Sequence, residues 1–187
     1  MSAIRTVCVF CGSRRGRDSV FADAARELGR ALARAGLRII YGGGEVGLMG
    51  ILAEAALGAG GEVVGVIPEQ LLEREVAKRD LHRLVVTQSM FARKAWMIQK
   101  ADAFIALPGG FGTLDELLEV LTLKQLGYHH KPIVLLEVNG FWQPCLALFD
   151  RIMELGFAPA DNRHLYRVAR DLGAVMAALG RDGAAPS

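Results

Sequence analysis

The stretch AFIALPGGFGTLDE, residues 103–116, decides how this chain of 187 residues folds. Its first part, Ala103 to Leu107, contains no charge, which predicts a strand that is buried on both faces. A proline–glycine–glycine turn follows, and a helix is predicted from Leu114 to about Leu126, ending at Gly127. A buried strand joined by a short glycine loop to a helix is the repeating unit of a parallel α/β sheet.

The same alternation of strand and helix continues on both sides of this stretch. Further apolar β-runs are Thr6–Phe10, Leu37–Tyr41, Glu62–Ile67, Leu84–Thr87, Ile133–Val138 and a weaker Leu165–Val168. Helical spacing predicts helices over 20–35, 47–57, 90–100 with Ser89 as N-cap, 141–155 and 171–179. We therefore predict one Rossmann-like, doubly wound domain over residues 1–180, with a parallel sheet of about seven strands and helices on both faces. Residues 181–187 are predicted to form a flexible tail.

The composition argues against several classes of protein. An apolar fraction of 52% and a charged fraction of 22% are typical of a globular domain. The net charge of +2 does not favour a nucleic-acid or membrane partner. The sequence shows no secretory signal and no apolar run of bilayer-spanning length, so we expect a cytoplasmic protein.

Cys8 and Cys11 form a C-x-x-C pair, which suggests a redox or zinc site. Both lie in the run TVCVFCGS, a predicted buried strand and its turn, where cysteine packs as a small apolar residue. The chain has three cysteines, so no second pair completes a zinc site, and its four histidines show no ligand spacing. We therefore expect structural cysteines, no metal and no cofactor.

Three predicted strands end in glycine-marked turns: Gly12-Ser13, Gly42-Gly43-Gly44 and Gly109-Gly110. The carboxyl ends of parallel strands lie at one edge of a sheet, where α/β proteins bind ligands. We expect the turns, with Ser13, Gly43 and Gly44 among them, to contribute to one binding site. Glycine in each turn could also serve tight packing alone.

The loop over Gly109–Thr113 has the features of a phosphate-binding loop. Glycines let backbone N–H groups converge on a ligand, and the positive end of the following helix points at the same place. The spacing is neither the dinucleotide fingerprint G-x-G-x-x-G nor a Walker A loop, which needs a lysine after its last glycine. The loop therefore favours a single monophosphate over a dinucleotide or a triphosphate.

Thr113 and Glu116 allow a second interpretation of this loop. The pattern T-x-x-E at a helix start is also a capping box, in which Thr113 is the N-cap and Glu116 bonds back to its backbone N–H. Glu116 would then be structural, whereas a Glu116 that faces a ligand could act as a base. The residues alone leave both roles open.

Arg93 and Lys94, in the first turns of the predicted helix 90–100, form a second candidate anion site. Two cations at a helix N-terminus oppose the helix dipole, and an anion held between them would offset that cost. Arginine also suits forked contacts with phosphate or ribose oxygens. A solvated basic face that includes Lys100 is the alternative.

These motifs together resemble the LONELY GUY (LOG) family of cytokinin riboside 5′-monophosphate phosphoribohydrolases. Residues 108–116 match that family's PGGxGTxxE motif, and FCGS, GGGEVGLMG and MFARK follow in the family's order, from Val7 to Val138. The resemblance implies hydrolysis of the N-glycosidic bond of purine riboside 5′-monophosphates, typically AMP and N6-prenylated AMP. The products would be the free base and ribose 5-phosphate, and the protein would act as a homodimer without a cofactor.

The resemblance also implies roles for single residues. Arg93 and Glu116 match the catalytic pair. Substrate-binding roles are expected for Glu75, Lys94, Gly109, Gly110, Gly112, Thr113 and Thr122, besides Ser13, Gly43 and Gly44 of the glycine turns. Phe91 replaces the histidine that this family usually has in its MHxRK motif, so no histidine role is carried over at this position.

One alternative is a non-catalytic carrier with the same architecture. Molybdenum-cofactor carrier proteins have a similar glycine-rich loop, so the chain could bind a nucleotide or that cofactor without turning it over. The joint presence of Arg93 and Glu116 favours the hydrolase.

Overall fold

The computed structural model describes residues 3–72 and 81–181, and its strands form one sheet in which all pairs are parallel. The seven strands are β1 Thr6–Phe10, β2 Arg38–Tyr41, β3 Val63–Pro68, β4 Arg83–Thr87, β5 Ala103–Ala106, β6 Ile133–Leu136 and β7 Arg167–Ala169. They lie in the order β4-β3-β2-β1-β5-β6-β7. The predicted parallel α/β sheet is confirmed.

Helices cover both faces of this sheet. They are α1 Ser19–Arg34, α2 Gly47–Gly58, α3 Met90–Lys100, α4 Phe111–Gln125, α5 Gln143–Glu154 and α6 Leu172–Ala178. Alternate residues of β1 point to opposite sides: Val7 and Val9 share a buried cluster with α1, α2 and α6. Cys8 and Phe10 share the other cluster with α3, α4 and Trp142, the residue before α5. The fold is therefore doubly wound, as predicted.

The chain reverses its direction of winding at β1. It first adds β2, β3 and β4 on one side and then returns to β5 on the other, which opens a crevice beyond the carboxyl ends of β1 and β5. The turns after these two strands touch, because Gly12 N donates to the carbonyl oxygen of Pro108 at 3.2 Å. A Cβ on Gly12 would lie 3.3 Å from the Cα of Gly109 and 2.9 Å from the carbonyl oxygen of Arg14, so the close approach favours glycine.

The structure corrects the predicted start of one important helix. α4 begins at Phe111, earlier than the predicted Leu114. Two short 3-10 helices, Glu69–Leu71 and Ala160–His164, were not predicted, since a single turn carries no apolar periodicity. Of the predicted tail, residues 182–187 lie outside the described ranges.

Candidate active site

A cavity of about 210 Å³ opens where α3 and α4 approach the carboxyl ends of β1 and β2. The predicted site residues that line it are Ser13, Arg93, Lys94, Gly110, Gly112, Thr113 and Glu116. The rest of its wall is formed by Val9, Cys11, Gly42, Met49, Met90, Phe111 and Asp115. A larger cavity, of about 590 Å³, lies beside the amino ends of β1 and β2, and it contains none of the predicted site residues.

Arg93 is buried in the wall of the 210 Å³ cavity, with 6% of its surface exposed. Ser89 caps α3, because its hydroxyl accepts a hydrogen bond from Ala92 N at 3.1 Å. The Arg93 guanidinium donates from Nη2 to the carbonyl oxygen of Gly42 at 3.2 Å, and Nη1 lies 3.3 Å from the sulfur of Met90. Its Nε is buried and has no hydrogen-bond acceptor among the described residues. A buried cation with an unused donor suits a ligand that carries oxygen atoms.

Glu116 projects from the second turn of α4 into the same cavity, with 12% of its side chain exposed. Its Oε1 lies 3.9 Å from Nη2 of Arg93, which is long for an ion pair. The two opposite charges therefore face each other in the cavity wall without a short mutual hydrogen bond. A carboxylate in this position can stabilise a developing positive charge or accept a proton.

The N-terminus of α4 has no side-chain cap. Its N-cap residue is Gly110, and Leu114 N donates to the carbonyl oxygen of Gly110 at 3.1 Å. The backbone N–H groups of residues 111–113 therefore lack acceptors within the helix. Because Thr113 lies inside the first turn, the capping-box interpretation of Thr113 and Glu116 is wrong. Uncapped N–H groups at the positive end of a helix favour an anion.

Gly109 packs against Thr113 at the start of this helix and does not line the cavity. A Cβ at this position would collide with the Thr113 side chain and would lie 2.9 Å from Gly12 N. The absence of a side chain lets Thr113 pack down onto the turn, where it is 4% exposed. Gly109 therefore fixes the position of Thr113, while Thr113 itself lines the cavity.

Lys94 lies between the two helices and is engaged with two carboxylates. Its Nζ lies 2.9 Å from Oδ2 of Asp115 and 2.8 Å from Oε2 of Glu119, and 11% of its side chain is exposed. Burial by itself would lower the pKa of the ammonium, but its contacts with the acceptor carboxylates of Glu119 and Asp115 raise it above its ordinary value. Sequence reasoning missed both carboxylates, because their distance from Lys94 depends on how α3 packs beside α4.

Several predicted site residues do not line this cavity. Gly43 is buried, and a Cβ there would lie 3.2 Å from Val66 N on β3; Gly44 is buried beside it. Thr122 donates its hydroxyl to the carbonyl oxygen of Leu118 at 2.7 Å and lines a separate groove toward α5. Glu75 lies outside the described residues. Substrate contact by these residues stays a prediction.

The cysteines of the C-x-x-C pair are free and face opposite sides of the sheet. Burial and the nearby Glu116 charge raise the pKa of both thiols above the ordinary value, outweighing the opposite influence of Arg93. Both therefore remain neutral thiols that pack in the core, as predicted. Within residues 3–72 and 81–181, no cluster of three His, Cys, Asp or Glu side chains has the arrangement of a metal site.

The fold and the cavity define a class of protein: a doubly wound α/β domain with an uncapped helix N-terminus and a buried arginine that faces a partly buried glutamate at its switch point. Residues 49–179 match the model of a family described as "Possible lysine decarboxylase". The chain is 48% identical to the cytokinin riboside 5′-monophosphate phosphoribohydrolase LOG of Oryza sativa subsp. japonica, over 88% of this chain and 68% of that protein. It is 44% identical to the phosphoribohydrolase LOG1 of Arabidopsis thaliana, over 88% of this chain and 77% of that protein. The chain belongs to the LOG family, as its motifs predict.

Solved structures with the same fold include two molybdenum-cofactor proteins. The molybdenum cofactor binding protein of Rippkaea orientalis matches with a TM-score of 0.72 and 21% identity, over 96% of this chain and 98% of that one. The molybdenum cofactor carrier protein of Chlamydomonas reinhardtii matches with a TM-score of 0.70 and 23% identity, over 95% and 97%. At this level of identity the likeness shows the fold alone.

Proposed function

We propose that this protein hydrolyses the N-glycosidic bond of purine riboside 5′-monophosphates, including AMP and cytokinin riboside 5′-monophosphates. The products are the free base and ribose 5-phosphate. One observation carries the proposal: the Arg93–Glu116 pair and the uncapped N-terminus of α4 share a single cavity. One region suits a phosphate, and the other suits the positive charge that develops at a sugar carbon. The activities named for the LOG relatives support the same reaction.

The cavity suggests how the substrate is oriented. The 5′-phosphate binds the N–H groups of residues 111–113 and the Thr113 hydroxyl, at the positive end of α4. Arg93 binds ribose or phosphate oxygens through its unused Nε and holds the sugar against Glu116. Binding of the phosphate, remote from the bond that breaks, then supplies orientation for the reaction.

Glu116 has the central chemical role in this proposal. As the bond from C1′ to the base nitrogen breaks, the sugar gains oxocarbenium character, and the carboxylate stabilises that positive charge. A water molecule adds to C1′ and transfers a proton to Glu116, the departing base nitrogen takes up a proton from solvent, and Glu116 then returns its proton to solvent. Atoms and charge balance, and the products are the free base and ribose 5-phosphate.

The decisive experiment compares AMP with adenosine as substrates of the purified protein. We expect adenine release from AMP and a kcat/KM for adenosine lower by about 10³-fold or more, because adenosine lacks the group that binds α4. Chromatography of the products measures both. Comparable turnover of the two compounds would show that the loop does not bind the 5′-phosphate. Binding of AMP without release of adenine would favour the non-catalytic carrier.

The side chains of the cavity do not support lysine decarboxylation. Decarboxylation with pyridoxal phosphate needs a lysine that forms a Schiff base, and such lysines have a lowered pKa. Lys94 lines the cavity, but its ion pair with Glu119 and its hydrogen bond to Asp115 overcome desolvation and raise its pKa. Lys124 and Lys131, whose pKa values are lowered by burial, donate to backbone carbonyl oxygens outside the cavity.

We also infer a homodimer in the cytoplasm. Large apolar side chains are exposed along α4, α5 and the turn that follows: Leu118, Leu126, Leu148, Leu155 and Phe157. Exposed apolar side chains of this size favour an interface with a second copy where they adjoin one another. Free cysteines fit a reducing compartment. In the described ranges, no helix combines the length and the apolar character needed to cross a bilayer.

A further inference from the structure

Lys94 connects α3 to α4 at the level of the proposed chemistry. It follows Arg93 directly on α3, and its two partners, Asp115 and Glu119, flank Glu116 on α4. The Lys94–Asp115 and Lys94–Glu119 distances are 2.9 and 2.8 Å, whereas the Arg93–Glu116 distance is 3.9 Å. The shorter contacts therefore hold the two helices together beside the longer one.

The charges around Lys94 argue against its use as a phosphate ligand. One ammonium faces two carboxylates, so this group of three side chains has a net negative charge. On another side, the Phe91 ring lies 5.7 Å from Nζ and contributes no group that attracts an anion. A phosphate brought to Nζ would displace a carboxylate or lie beside both, and either arrangement is unfavourable. The first turn of α4 contains no acidic residue, so no carboxylate of that turn competes with an anion for its N–H groups.

We propose that Lys94 is a positioning residue, which together with Asp115 and Glu119 sets the distance between Arg93 and Glu116. This inference rests on the proposed function, because it concerns the geometry of that reaction. It replaces the substrate-binding role that the family resemblance implies for Lys94. A small displacement between catalytic groups costs rate rather than affinity, so the effect of losing these contacts falls on kcat.

Removing the carboxylates while keeping the lysine separates the two roles. In Asp115→Asn/Glu119→Gln, Lys94 is present and free to bind a substrate, but it no longer holds α4. We expect kcat for AMP to fall about tenfold or more, with KM within about threefold of the wild type. Lys94→Met should show the same pattern, and Lys94→Arg should recover most of kcat, since arginine also bridges carboxylates. Combining all three changes should cost no more than Lys94→Met alone.

Lys124→Met is the matched control. Lys124 also lies on α4 and is partly buried, and it donates to the carbonyl oxygen of Leu165, neither residue being part of the cavity lining. We expect this variant to unfold at a lower temperature while its kcat stays that of the wild type. Loss of kcat in Lys124→Met equal to that in Lys94→Met would mean that general loosening of α4 explains both.

The substrate-ligand role predicts different kinetics. If Lys94 binds the phosphate or ribose, Lys94→Met raises KM at least about tenfold, and Asp115→Asn/Glu119→Gln leaves kcat unchanged. That result would overturn the inference. Failure of the proposed function is a separate outcome, since the wild type would then release no adenine. In that case, amide hydrogen exchange of residues 90–100 tests the contacts of Lys94 with Asp115 and Glu119. Exchange should rise in Lys94→Met and in Asp115→Asn/Glu119→Gln but not in Lys124→Met. Equal exchange in all three variants would refute the proposal.

Discussion

The N-termini of α2 and α4 look alike in sequence and differ in the structure. Each helix follows a strand end and a glycine-rich turn, GGGEVG before α2 and PGGFG before α4. In α2, the N–H groups of Leu48 and Met49 both donate to the carbonyl oxygen of Gly12, at 3.0 and 3.4 Å. In α4, the N-cap is Gly110, and no side chain caps the helix.

This difference shows that glycine alone does not make an anion site. The turn before α2 uses its glycines for packing: a Cβ on Gly47 would collide with the backbone of Ser13, and one on Gly50 with the backbone of Glu45. The N–H groups of Leu48 and Met49 in the first turn of α2 are already satisfied within the fold. Those of α4 face a cavity that also contains Arg93 and Glu116, so they remain available to a ligand.

The sixth residue of each helix sharpens the comparison and gives the largest expected effect. In α4 it is Glu116, in the cavity, and in α2 it is the fully buried Leu52. We expect Glu116→Gln to lower kcat for AMP by about 10³-fold, because the amide can neither accept a proton nor stabilise positive charge. The melting temperature should change by no more than about 2 °C, since Glu116 does not cap the helix.

Leu52→Ala is the control for this prediction, and it should have the opposite effects: lower stability and unchanged kcat. Removing a fully buried leucine side chain costs about 2–5 kcal/mol of stability. At a temperature where the variant remains folded, its kcat should equal that of the wild type. Full turnover by Glu116→Gln would contradict the catalytic role of Glu116, since neither Glu116 nor Leu52 would then be needed for the reaction.

A smaller effect is expected from Gly109→Ala, which disturbs the start of α4 without touching a reacting group. The new Cβ collides with Thr113, so the first turn of the helix must shift. We expect kcat/KM for AMP to fall about 10- to 100-fold, because the N–H groups no longer converge on the phosphate. Steady-state kinetics with AMP measure the change.

Gly58→Ala, at the last residue of α2, is the matched glycine change. A Cβ there meets nothing within 4 Å, so activity should be retained, and stability should rise by about 0.5 kcal/mol. If Gly109→Ala were as active as Gly58→Ala, the position of Thr113 would not matter to the site.

Most of the fold could be predicted from local patterns, whereas the state of each helix end could not. Uncharged runs such as Thr6–Phe10 indicate buried parallel strands, and Ser89 marks the start of α3, because both signals lie within a few residues. The carbonyl oxygen that satisfies α2 belongs to Gly12, and the carboxylates that hold Lys94 belong to another helix. Such partners are distant in sequence, so only the packed structure reveals them.

The smallest predicted effect is a pH-dependent change in stability at the C-terminal half of α4. His129 Nδ1 accepts a hydrogen bond from Lys131 N at 3.2 Å, so Nε2 carries the proton that is donated to the carbonyl oxygen of Val120 at 3.0 Å. The bond from Lys131 N requires the neutral ring, because a protonated Nδ1 cannot accept, whereas the bond to Val120 persists in the charged ring. Burial lowers the pKa of His129, against the opposing influence of the bond to Val120, and the nearby Lys131 and Lys124 lower it further. A lowered pKa means that this stabilisation is complete above the unfolded value of about 6.5 and is lost as the pH falls through the folded value.

We therefore expect His129→Gln, whose amide offers the same donor and acceptor, to lose less stability on acidification than the wild type. Between pH 7.5 and pH 5, the melting temperature of the wild type should fall by about 2 °C more than that of the variant. Leu52→Ala, measured over the same pH range, controls for reduced stability itself and should follow the wild-type slope. A parallel slope for His129→Gln would show that protonation of this ring does not affect the end of α4.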